Sequence, residues 1–327
     1  MAHPNGALKL SVVIPTFNRC EVLAVTLERL ARQTLPMDQF EVLVIDDGST
    51  DATREIVERH EASSPYQLRY FHHRNHGPGY SQNRGIQEAA ADVVLILAND
   101  IWATSELLER HVRAHQDEPG VNVAVLGQVL QSPDLPSTVM HRYWDPFGFR
   151  QFQGRRELTA LHFWGCNLSF HRAFLIEHGL FRVRQGAGNE DTELGYRLSR
   201  FGLRVLLEPA ALGFHHHQVT IEQACRRAYQ EGSNFDVFDE VPKNVLLPFI
   251  GIFSWSLDGR TILRMLPKEI VRSVLFHPWM VDRFWLPVLK KAETFSPARI
   301  FASKRAYTGA FGAYYRKGIR DSKRGRR

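Results

Sequence analysis

The chain has 327 residues, 44% of them hydrophobic and 23% charged, which is the ordinary composition of a globular protein. This length accommodates one large α/β domain with an extension, or two smaller domains. The three cysteines, Cys20, Cys166 and Cys225, are widely spaced, which excludes a disulfide framework and a CxxC zinc site and favours a reducing, cytoplasmic location.

The distribution of charge and of apolar residues excludes further classes. The formal net charge is +6, but residues 301–327 hold nine basic residues and one acidic residue, so this tail carries +8 and the remainder −2. The body is therefore not basic, and we predict no nucleic-acid partner. No apolar stretch approaches the ~18 residues that span a bilayer. The first apolar run is interrupted by Pro15, which does not fit a signal peptide.

Strands and helices alternate in the first hundred residues. Short apolar runs predict buried strands at residues 10–15, 40–45, 68–72 and 93–97. Apolar residues at helical spacing predict helices at residues 19–34, 50–60 and 81–91. This alternation predicts an α/β domain in which a mostly parallel sheet is flanked by helices.

The pattern changes after residue 119. Prolines and aromatic residues between 119 and about 157 predict loops and short strands at the far side of the sheet. Regular structure returns at residues 163–170, and a short strand is predicted at 204–207. Helices are predicted at residues 172–178, 191–201 and 221–231.

Three polar clusters follow predicted strands, at residues 16–19, 46–49 and 99–100. Ligands of parallel sheets bind beyond the carboxyl ends of the strands, so we expect one shared site. Arg19 offers planar contacts to phosphate, and Asp46 can accept hydrogen bonds from a base or a ribose. Asp100 is a ligand for a hard divalent cation, to which a diphosphate adds further oxygens. Ordinary turns and helix caps are the alternative interpretation of each cluster.

Two further motifs carry ionisable groups. Glu190 and Asp191 begin a predicted helix, whose dipole keeps Asp191 ionised and able to act as a base, although simple capping would explain the same residues. Imidazoles at residues 215–217 suit Mn²⁺, but three consecutive histidines cannot all face one ion. Such a triplet also occurs in surface or packing roles.

Together these segments resemble the family-2 glycosyltransferases of the glycosyltransferase A fold. The resemblance covers residues 10 to about 220, and the segments stand in the family's order. They are SVVIPTFNR (11–19), FEVLVIDDGSTD (40–51), NHGPGYSQNRGI (75–86), VVLILAND (93–100), GCNLSFHRAFLIEHGLF (165–181), EDTELGYRLSRFG (190–202) and FHHH (214–217).

The resemblance implies that a sugar passes, with inversion, from a nucleotide-sugar donor to a hydroxyl of a glycan or lipid-linked glycan. UDP is the favoured donor nucleotide, with GDP and dTDP open. Nucleotide contacts are implied for Pro15, Thr16, Asn18, Arg19, Asp46, Asp47, Ser49, Asn83 and Asn99. Catalytic roles are implied for Asp191, the general base, and Glu190. A divalent metal, Mn or Mg, is implied at Asp100 and His215, with His217 as the competing choice. Acceptor contacts are implied for Trp164, Gly165, Cys166 and Asn167.

The sequence departs from the family pattern at two positions. Ala98 stands where Asp or Asn is commoner, and Gln82 replaces an Arg. A catalytically weak nucleotide-sugar-binding homologue is therefore the alternative function. A dinucleotide-dependent oxidoreductase is disfavoured because no GxGxxG follows the first strand, and a nucleotidyltransferase because a Gly-rich basic loop is lacking.

The resemblance predicts a catalytic domain over residues 1–235, with a nucleotide-binding half at about 8–118 and an acceptor-binding half at about 119–235. A helical extension with a basic tail is predicted over 236–327. Its aromatic and basic residues suit peripheral contact with the inner face of a membrane, or else a helical core or oligomer interface. They include Phe249, Phe253, Trp255, Phe276, Trp279, Phe284, Trp285, Lys268, Arg272, Arg283 and Lys290.

Overall fold

A computed structural model describes residues 8–144, 148–184, 188–242, 244–246 and 274–325. The chain forms two compact units, the first from residues 1–135 with 151–217, the second from 136–150 with 218–327. This division lies before the predicted boundary at 235/236. The physical reason is that the helix beginning at Ile221 buries its apolar side in the second unit.

The first half of the first unit is a parallel sheet. Its strands are β1 (Leu10–Thr16), β2 (Phe40–Asp46), β3 (Gln67–His72) and β4 (Val93–Leu97), in the spatial order β3-β2-β1-β4. The helices between them are α1 (Cys20–Leu30), α2 (Thr53–Glu61) and α3 (Pro78–Glu88). Each element lies within about four residues of its predicted position. Strands β1, β2 and β4 do so because their continuous Val, Ile and Leu runs are buried on both faces.

The second half adds strands of both directions. It contains β5 (Ile101–Ala103), α4 (Leu107–Asp117), β6 (Val123–Gln131), β7 (Glu157–Leu158), β8 (Asn167–His171), α6 (Arg172–His178), α7 (Glu190–Ser199) and β9 (Arg204–His215). The full order is β3-β2-β1-β4-β8-β6-β9-β5, with β7 beside β9. Strand β8 is antiparallel to β4 and β6, whereas β6 and β9 are parallel.

The prediction of loops and short strands for residues 119–157 was wrong for β6. This nine-residue strand lies inside the sheet between β8 and β9, and its first five residues are buried. Strand β9 is also much longer than predicted, since the ladder resumes at Gly213 after a register shift opposite Gly127 and Val129. The Glu-Pro-Ala sequence at 208–210 therefore interrupts the pairing without ending the strand.

The second unit is helical where it is described. Its helices include α5 (Val139–Tyr143), α8 (Ile221–Ser233), α9 (Pro278–Met280), α10 (Leu286–Thr294) and α11 (Lys304–Gly325). Helices α8 and α11 cross closely, because a Cβ on Gly232 would lie 2.0 Å from the carbonyl oxygen of Tyr315. The basic residues of the tail from Lys304 to Arg324 therefore lie on a packed helix. Among the described helices, none is long and apolar enough to cross a membrane.

Candidate functional site

The loops that follow β1 and β2 are joined by reciprocal hydrogen bonds. The main-chain N–H of Asn18 donates to Ser49 Oγ at 2.9 Å, and Asn18 Oδ1 accepts from the N–H of Thr50 at 2.8 Å. Asn18 adopts a left-handed conformation with φ of 51°, which asparagine tolerates better than most residues. Asn18 and Ser49, both predicted to contact nucleotide, thus shape the loop that follows Pro15.

Asp46 is buried at the end of β2 and is held by two donors. Its Oδ1 accepts from the N–H of Ser49 at 2.8 Å, and its Oδ2 accepts from the Tyr70 hydroxyl at 2.5 Å. Burial and the neighbouring carboxylate raise the pKa of Tyr70, so the phenol stays protonated and donates. Tyr70 was not predicted, since its place beside Asp46 depends on the β2–β3 register.

Three other residues that were predicted to contact the nucleotide form hydrogen bonds within the protein. Asp47 accepts from the main-chain N–H groups of His76 and Gly77 at 2.8 and 3.0 Å, which secures the turn before α3. The Asn83 amide makes two hydrogen bonds with the main chain of Phe181. Asn99 Nδ2 donates to Thr16 Oγ1 at 2.9 Å and so connects the ends of β4 and β1.

The Asp100 carboxylate contacts the side chains of Arg19 and His215. The Arg19 guanidinium forms an ion pair with Asp100 Oδ2, and His215 Nε2 lies 3.5 Å from the same oxygen. Burial alone would raise the pKa of Asp100, but the hydrogen bonds and charges of His215 and Arg19 hold it well below its ordinary value. Asp100 is therefore ionised throughout the neutral range.

The three consecutive histidines have different surroundings. His215 ends β9 beside Asp100, and the ring of His217 lies 5.9 Å from that of His215. His216 stacks on Trp102 with ring centroids 3.4 Å apart, and its Nδ1 contacts Ser132 Oγ at 3.1 Å. Of these three histidines, His215 is the one whose ring nitrogen lies 3.5 Å from the Asp100 carboxylate, so it is the better placed metal ligand.

The donor set at this point fits a divalent cation with two protein ligands. Carboxylate oxygen and neutral imidazole nitrogen are both suitable ligands for such ions. Ligand bonds of about 2.0–2.2 Å require two donor atoms to lie roughly 3 Å apart, close to the observed Asp100–His215 separation. Within the described part of the chain, no cluster of three His, Cys, Asp or Glu residues could hold an ion. A bound cation would thus need oxygens from the donor or from water.

The acidic pair Glu190–Asp191 begins α7, as predicted within one residue. Asp191 Oδ1 accepts from the N–H of Thr192 at 2.7 Å, and its Oδ2 lies 3.3 Å from the N–H of Gly165. Glu190 Oε2 accepts from the N–H of Gly188 at 2.6 Å. The amino-terminal end of a helix stabilises such carboxylates in their charged form.

The segment predicted to contact the acceptor lies against Asp191. Gly165 donates to the Asp191 carboxylate, and the carbonyl of the next residue, Cys166, accepts from the N–H of Ala98. These two adjacent residues therefore connect the base candidate with the strand that leads to Asp100. Trp164 packs beside Phe152 and His162, with ring centroids 5.6 and 5.2 Å away.

Asn167 does not have the surroundings of an acceptor contact. Its side chain is fully buried, and Nδ2 donates to the carbonyl oxygen of Ala211 at 2.9 Å. Oδ1 faces His111 Nε2 at 2.9 Å. The amide thus lies inside the sheet, and the prediction of an acceptor role for Asn167 is replaced by an internal one.

The two departures from the family pattern lie near this segment. Gln82 is buried, and a Cβ on Gly165 would lie 2.9 Å from Gln82 Nε2. Gln82 Oε1 has no hydrogen-bond partner within the described residues. The main chain of Ala98 donates to the Cys166 carbonyl and accepts from the N–H of Ile101, and its side chain is a methyl group, so neither residue places a charge at the site.

Comparison with known proteins identifies the family. The model of glycosyl transferase family 2 matches residues 11–179. The chain belongs to glycosyl transferase family 2. The chain is 31% identical over 230 residues to validoxylamine A glucosyltransferase of Streptomyces hygroscopicus subsp. jinggangensis, covering 62% of this chain and 54% of the relative. It is 28% identical over 267 residues to Escherichia coli chondroitin synthase, covering 70% of this chain and 37% of that protein. The chain thus spans about half the length, or less, of these curated relatives.

Solved structures confirm the predicted fold class. The mannosyltransferase PcManGT of Pyrobaculum calidifontis, solved with GDP-Man and Mn²⁺, superposes with a TM-score of 0.60 at 18% identity, covering 97% of this chain and 89% of that one. Staphylococcus aureus TarS superposes with a TM-score of 0.53 at 17% identity, covering 93% and 55%. Both likenesses establish a glycosyltransferase A fold, in which a central sheet is flanked by helices.

Proposed function

We propose that this glycosyltransferase moves a sugar from a nucleotide-sugar donor to a hydroxyl of a glycan or lipid-linked glycan, with inversion. The observation that carries the proposal is the convergence of Arg19 and His215 on Asp100, close in the sheet to the Gly165–Asp191 contact. The first group suits an anionic diphosphate, and the second suits an acceptor hydroxyl that must lose a proton.

The reaction is a single displacement. The acceptor oxygen attacks the anomeric carbon from the face opposite the diphosphate, and the bond from that carbon to the diphosphate oxygen breaks. Asp191 accepts the hydroxyl proton, for which a carboxylate within hydrogen-bond reach is the required geometry. The electron pair of the broken bond leaves on the diphosphate, where Arg19 offsets the negative charge. Attack from the opposite face inverts the anomeric configuration.

The donor nucleotide is bound at the ends of β1 and β2. Asp46 accepts an N–H of the base, while Tyr70 and Ser49 hold its carboxylate in place. The other residues predicted to contact the nucleotide shape the surroundings of this site. They are Pro15, Thr16, Asn18, Asp47, Asn83 and Asn99. UDP is the favoured nucleotide, with GDP and dTDP as alternatives. Support comes from the structural neighbours, which were solved with GDP-Man and with UDP-GlcNAc.

Asp100 and His215 would hold a divalent cation, Mn or Mg, and His217 is the alternative to His215. When bound, the ion supplies positive charge for the diphosphate leaving group. The ionised state of Asp100 and its 3.5 Å separation from His215 support this assignment. The Mn²⁺ in the Pyrobaculum calidifontis complex supports it further.

The described surface of the second unit supports peripheral contact with an anionic membrane. Exposed apolar residues are frequent near its helices, including Trp279 (61% exposed), Ile300 (83%) and Phe301 (47%). Phe284 and Phe301 are neighbours, with ring centroids 6.3 Å apart. Lys291 and other basic side chains lie among these residues in sequence, and basic residues near anionic lipid contribute ~1 kcal/mol each. Phe249, Phe253, Trp255, Lys268 and Arg272, which belonged to the same prediction, lie outside the described residues.

The proposed transfer is tested by release of nucleotide diphosphate from a panel of UDP-, GDP- and dTDP-sugars, with Mn²⁺, with Mg²⁺ and with EDTA. We expect nucleotide release from at least one donor, and we expect this release to require the cation. In Asp100→Ala we expect the cation-dependent release to be lost. Ala98 offers no neighbouring carboxylate as a substitute. A binding homologue would instead bind a donor, seen as a thermal shift, without releasing nucleotide. That outcome would overturn the enzymatic proposal.

A further inference from the structure

A chain of buried hydrogen bonds connects α4 with the middle of the sheet. His111 Nδ1 lies 2.8 Å from Ser169 Oγ, and His111 Nε2 lies 2.9 Å from Asn167 Oδ1. His115 Nε2 contacts the same Ser169 Oγ at 2.9 Å. His111, Asn167 and Ser169 are fully buried, and His115 is 5% exposed, so these contacts lie in the interior of the protein.

The Ala211 carbonyl, at one end of this series of hydrogen bonds, determines the direction of every hydrogen bond in the series. The Ala211 carbonyl can only accept, so the Asn167 amide nitrogen faces it and Oδ1 faces His111. Because Oδ1 also only accepts, His111 must carry its proton on Nε2. His111 Nδ1 then accepts from the Ser169 hydroxyl, whose oxygen in turn accepts from His115 Nε2–H. Burial lowers the pKa of His111 to about 4 and that of His115 to about 3, so both rings are neutral as this pattern requires.

Asn167 lies where the strands of the candidate site meet. It pairs with Leu97 at the end of β4, three residues before Asp100. It follows Gly165, the donor to Asp191, by two residues. Its partner Ala211 is on β9, four residues before His215. The main chain of Asn167 therefore pairs with the strand that leads to Asp100, and its amide bonds to the strand that ends in His215. The residue itself lies two positions from the donor to Asp191.

The packing around this amide leaves no room for adjustment. A Cβ on Gly127 of β6 would lie 2.2 Å from Asn167 Nδ2 and 2.5 Å from the Ala211 carbonyl oxygen. Glycine at this position is what permits the amide to bridge β8 and β9. The orientation of Asn167 then depends on His111, the donor that faces its oxygen.

We propose that His111 is a positioning residue for sugar transfer. By fixing the Asn167 amide, it sets the spacing between Asp191 and the Asp100–His215 pair. The inference rests on the proposed function of those three residues. Within this series of hydrogen bonds, His115 contacts Ser169 and not Asn167. Its contribution is therefore to stability and not to the geometry of the reacting groups.

The positioning role predicts a specific kinetic effect. Displacements of about 1 Å can cost roughly 10²-fold in rate when reacting groups must be aligned. We expect His111→Phe to lower kcat by about 10- to 100-fold. Donor affinity should change by less than about twofold, because the hydrogen bonds that join His111, Asn167 and Ser169 do not involve the loops after β1 and β2.

His115→Phe is the matched control, since it places the same substitution on the same helix one turn away at an equally buried position. Both variants should lose thermal stability, but only His111→Phe should lose turnover per folded molecule, as titrated by bound nucleotide diphosphate. His111→Gln, which keeps an N–H donor, should recover part of kcat and serves if the phenylalanine variant does not fold. Equal kcat values for His111→Phe and His115→Phe would overturn the proposal.

A spectroscopic measurement tests the same inference without any substrate. Nitrogen-15 NMR of the full chain with labelled histidine should show the proton of His111 on Nε2 at neutral pH. A protonated Nδ1 on His111 would overturn the proposed chain of contacts. If the wild type is active but His111→Phe and His115→Phe have equal kcat values, only the positioning role is contradicted. If the wild type is inactive, the proposed transfer itself is contradicted.

Discussion

At the scale of single residues, Arg19 and His215 both approach Asp100 Oδ2. A cation held there by Asp100 and His215 would compete with the Arg19 guanidinium for this oxygen. Arg19, if released from Asp100, would be able to contact the diphosphate of a bound donor. Binding of metal and binding of nucleotide should therefore favour each other.

Arg19→Ala tests this competition. We expect the variant to bind Mn²⁺ alone about 3- to 10-fold more tightly, consistent with a partly exposed ion pair of ~1 kcal/mol. It should bind nucleotide diphosphate more weakly, because the phosphates lose their planar cation. Isothermal titration with each ligand measures both effects. Arg29→Ala, which removes a cation stacked on Trp102, is the control and should change neither affinity. Weaker Mn²⁺ binding by Arg19→Ala would contradict competition.

At the scale of elements, α7 owes its position to a glycine. A Cβ on Gly195 would lie 2.0 Å from the carbonyl oxygen of Ala160 and 2.6 Å from Phe163 Cβ. Gly195→Ala should therefore displace the helix that begins with Asp191, at a cost of about 1–3 kcal/mol in the free energy of unfolding. The urea concentration at the midpoint of unfolding and kcat should both fall.

Gly154→Ala is the control for this prediction. Gly154 has φ of 75°, and nothing lies within 4 Å of a Cβ placed there. The substitution costs backbone strain without a steric clash, and should leave kcat unchanged. An unchanged kcat in Gly195→Ala would show that the position of α7 does not matter for transfer.

The elements also show how far sequence patterns reach. Strands β1 to β4 were predicted because each is a short, continuous apolar run followed by a polar turn. Strand β6 was missed, since Gly127 and the prolines that follow disguised an equally apolar run. The antiparallel place of β8 between β4 and β6 depends on long-range pairing, which no local pattern encodes.

The same limit applies to the site. Asp46, Asp100 and Asp191 could be identified from strand ends, a helix start and a family resemblance. His215 was named with Asp100 through the same resemblance, but Tyr70, the partner of Asp46, was not, because it reaches Asp46 only through the sheet register. A signal for His111 and His115 did exist, since residues four apart on a helix share one face. It did not reveal Asn167, 56 residues from His111, as a partner.

At the scale of the whole molecule, the buried histidines make stability depend on pH. An unfolded imidazole titrates near pH 6.5, whereas the folded pKa is about 4 for His111 and about 3 for His115. Between pH 6.5 and 4 the unfolded chain binds protons that the folded chain does not. The free energy of unfolding should therefore fall as the pH falls, by about 1.4 kcal/mol per pH unit for each histidine. Urea titrations across this window should show a shallower slope for His115→Phe, and an identical slope would contradict the assignment.

Membrane contact is tested with the full chain. Removing α11 would destroy the core of the second unit, because Ala306, Tyr307 and Ala310 are buried in it. We expect the double substitution of Ile300→Ser and Phe301→Ser to reduce co-sedimentation with anionic vesicles, most clearly at low salt. The control is Val121→Ser with Phe201→Ser, which removes exposed apolar residues of the first unit. Equal sedimentation of both variants would contradict this docking surface, and a change in oligomeric state would identify an interface between copies.

The proposed transfer depends above all on Asp191 acting as the base. The most direct test compares wild type with Asp191→Asn, which keeps the shape of the side chain and removes its charge. We expect a loss of about 10²–10⁴ in kcat. Donor affinity should stay within about twofold, because the hydrogen bonds that hold Asp46 and join the loops after β1 and β2 do not involve Asp191. Near-normal turnover by Asp191→Asn, with the donor bound as in wild type, would contradict it.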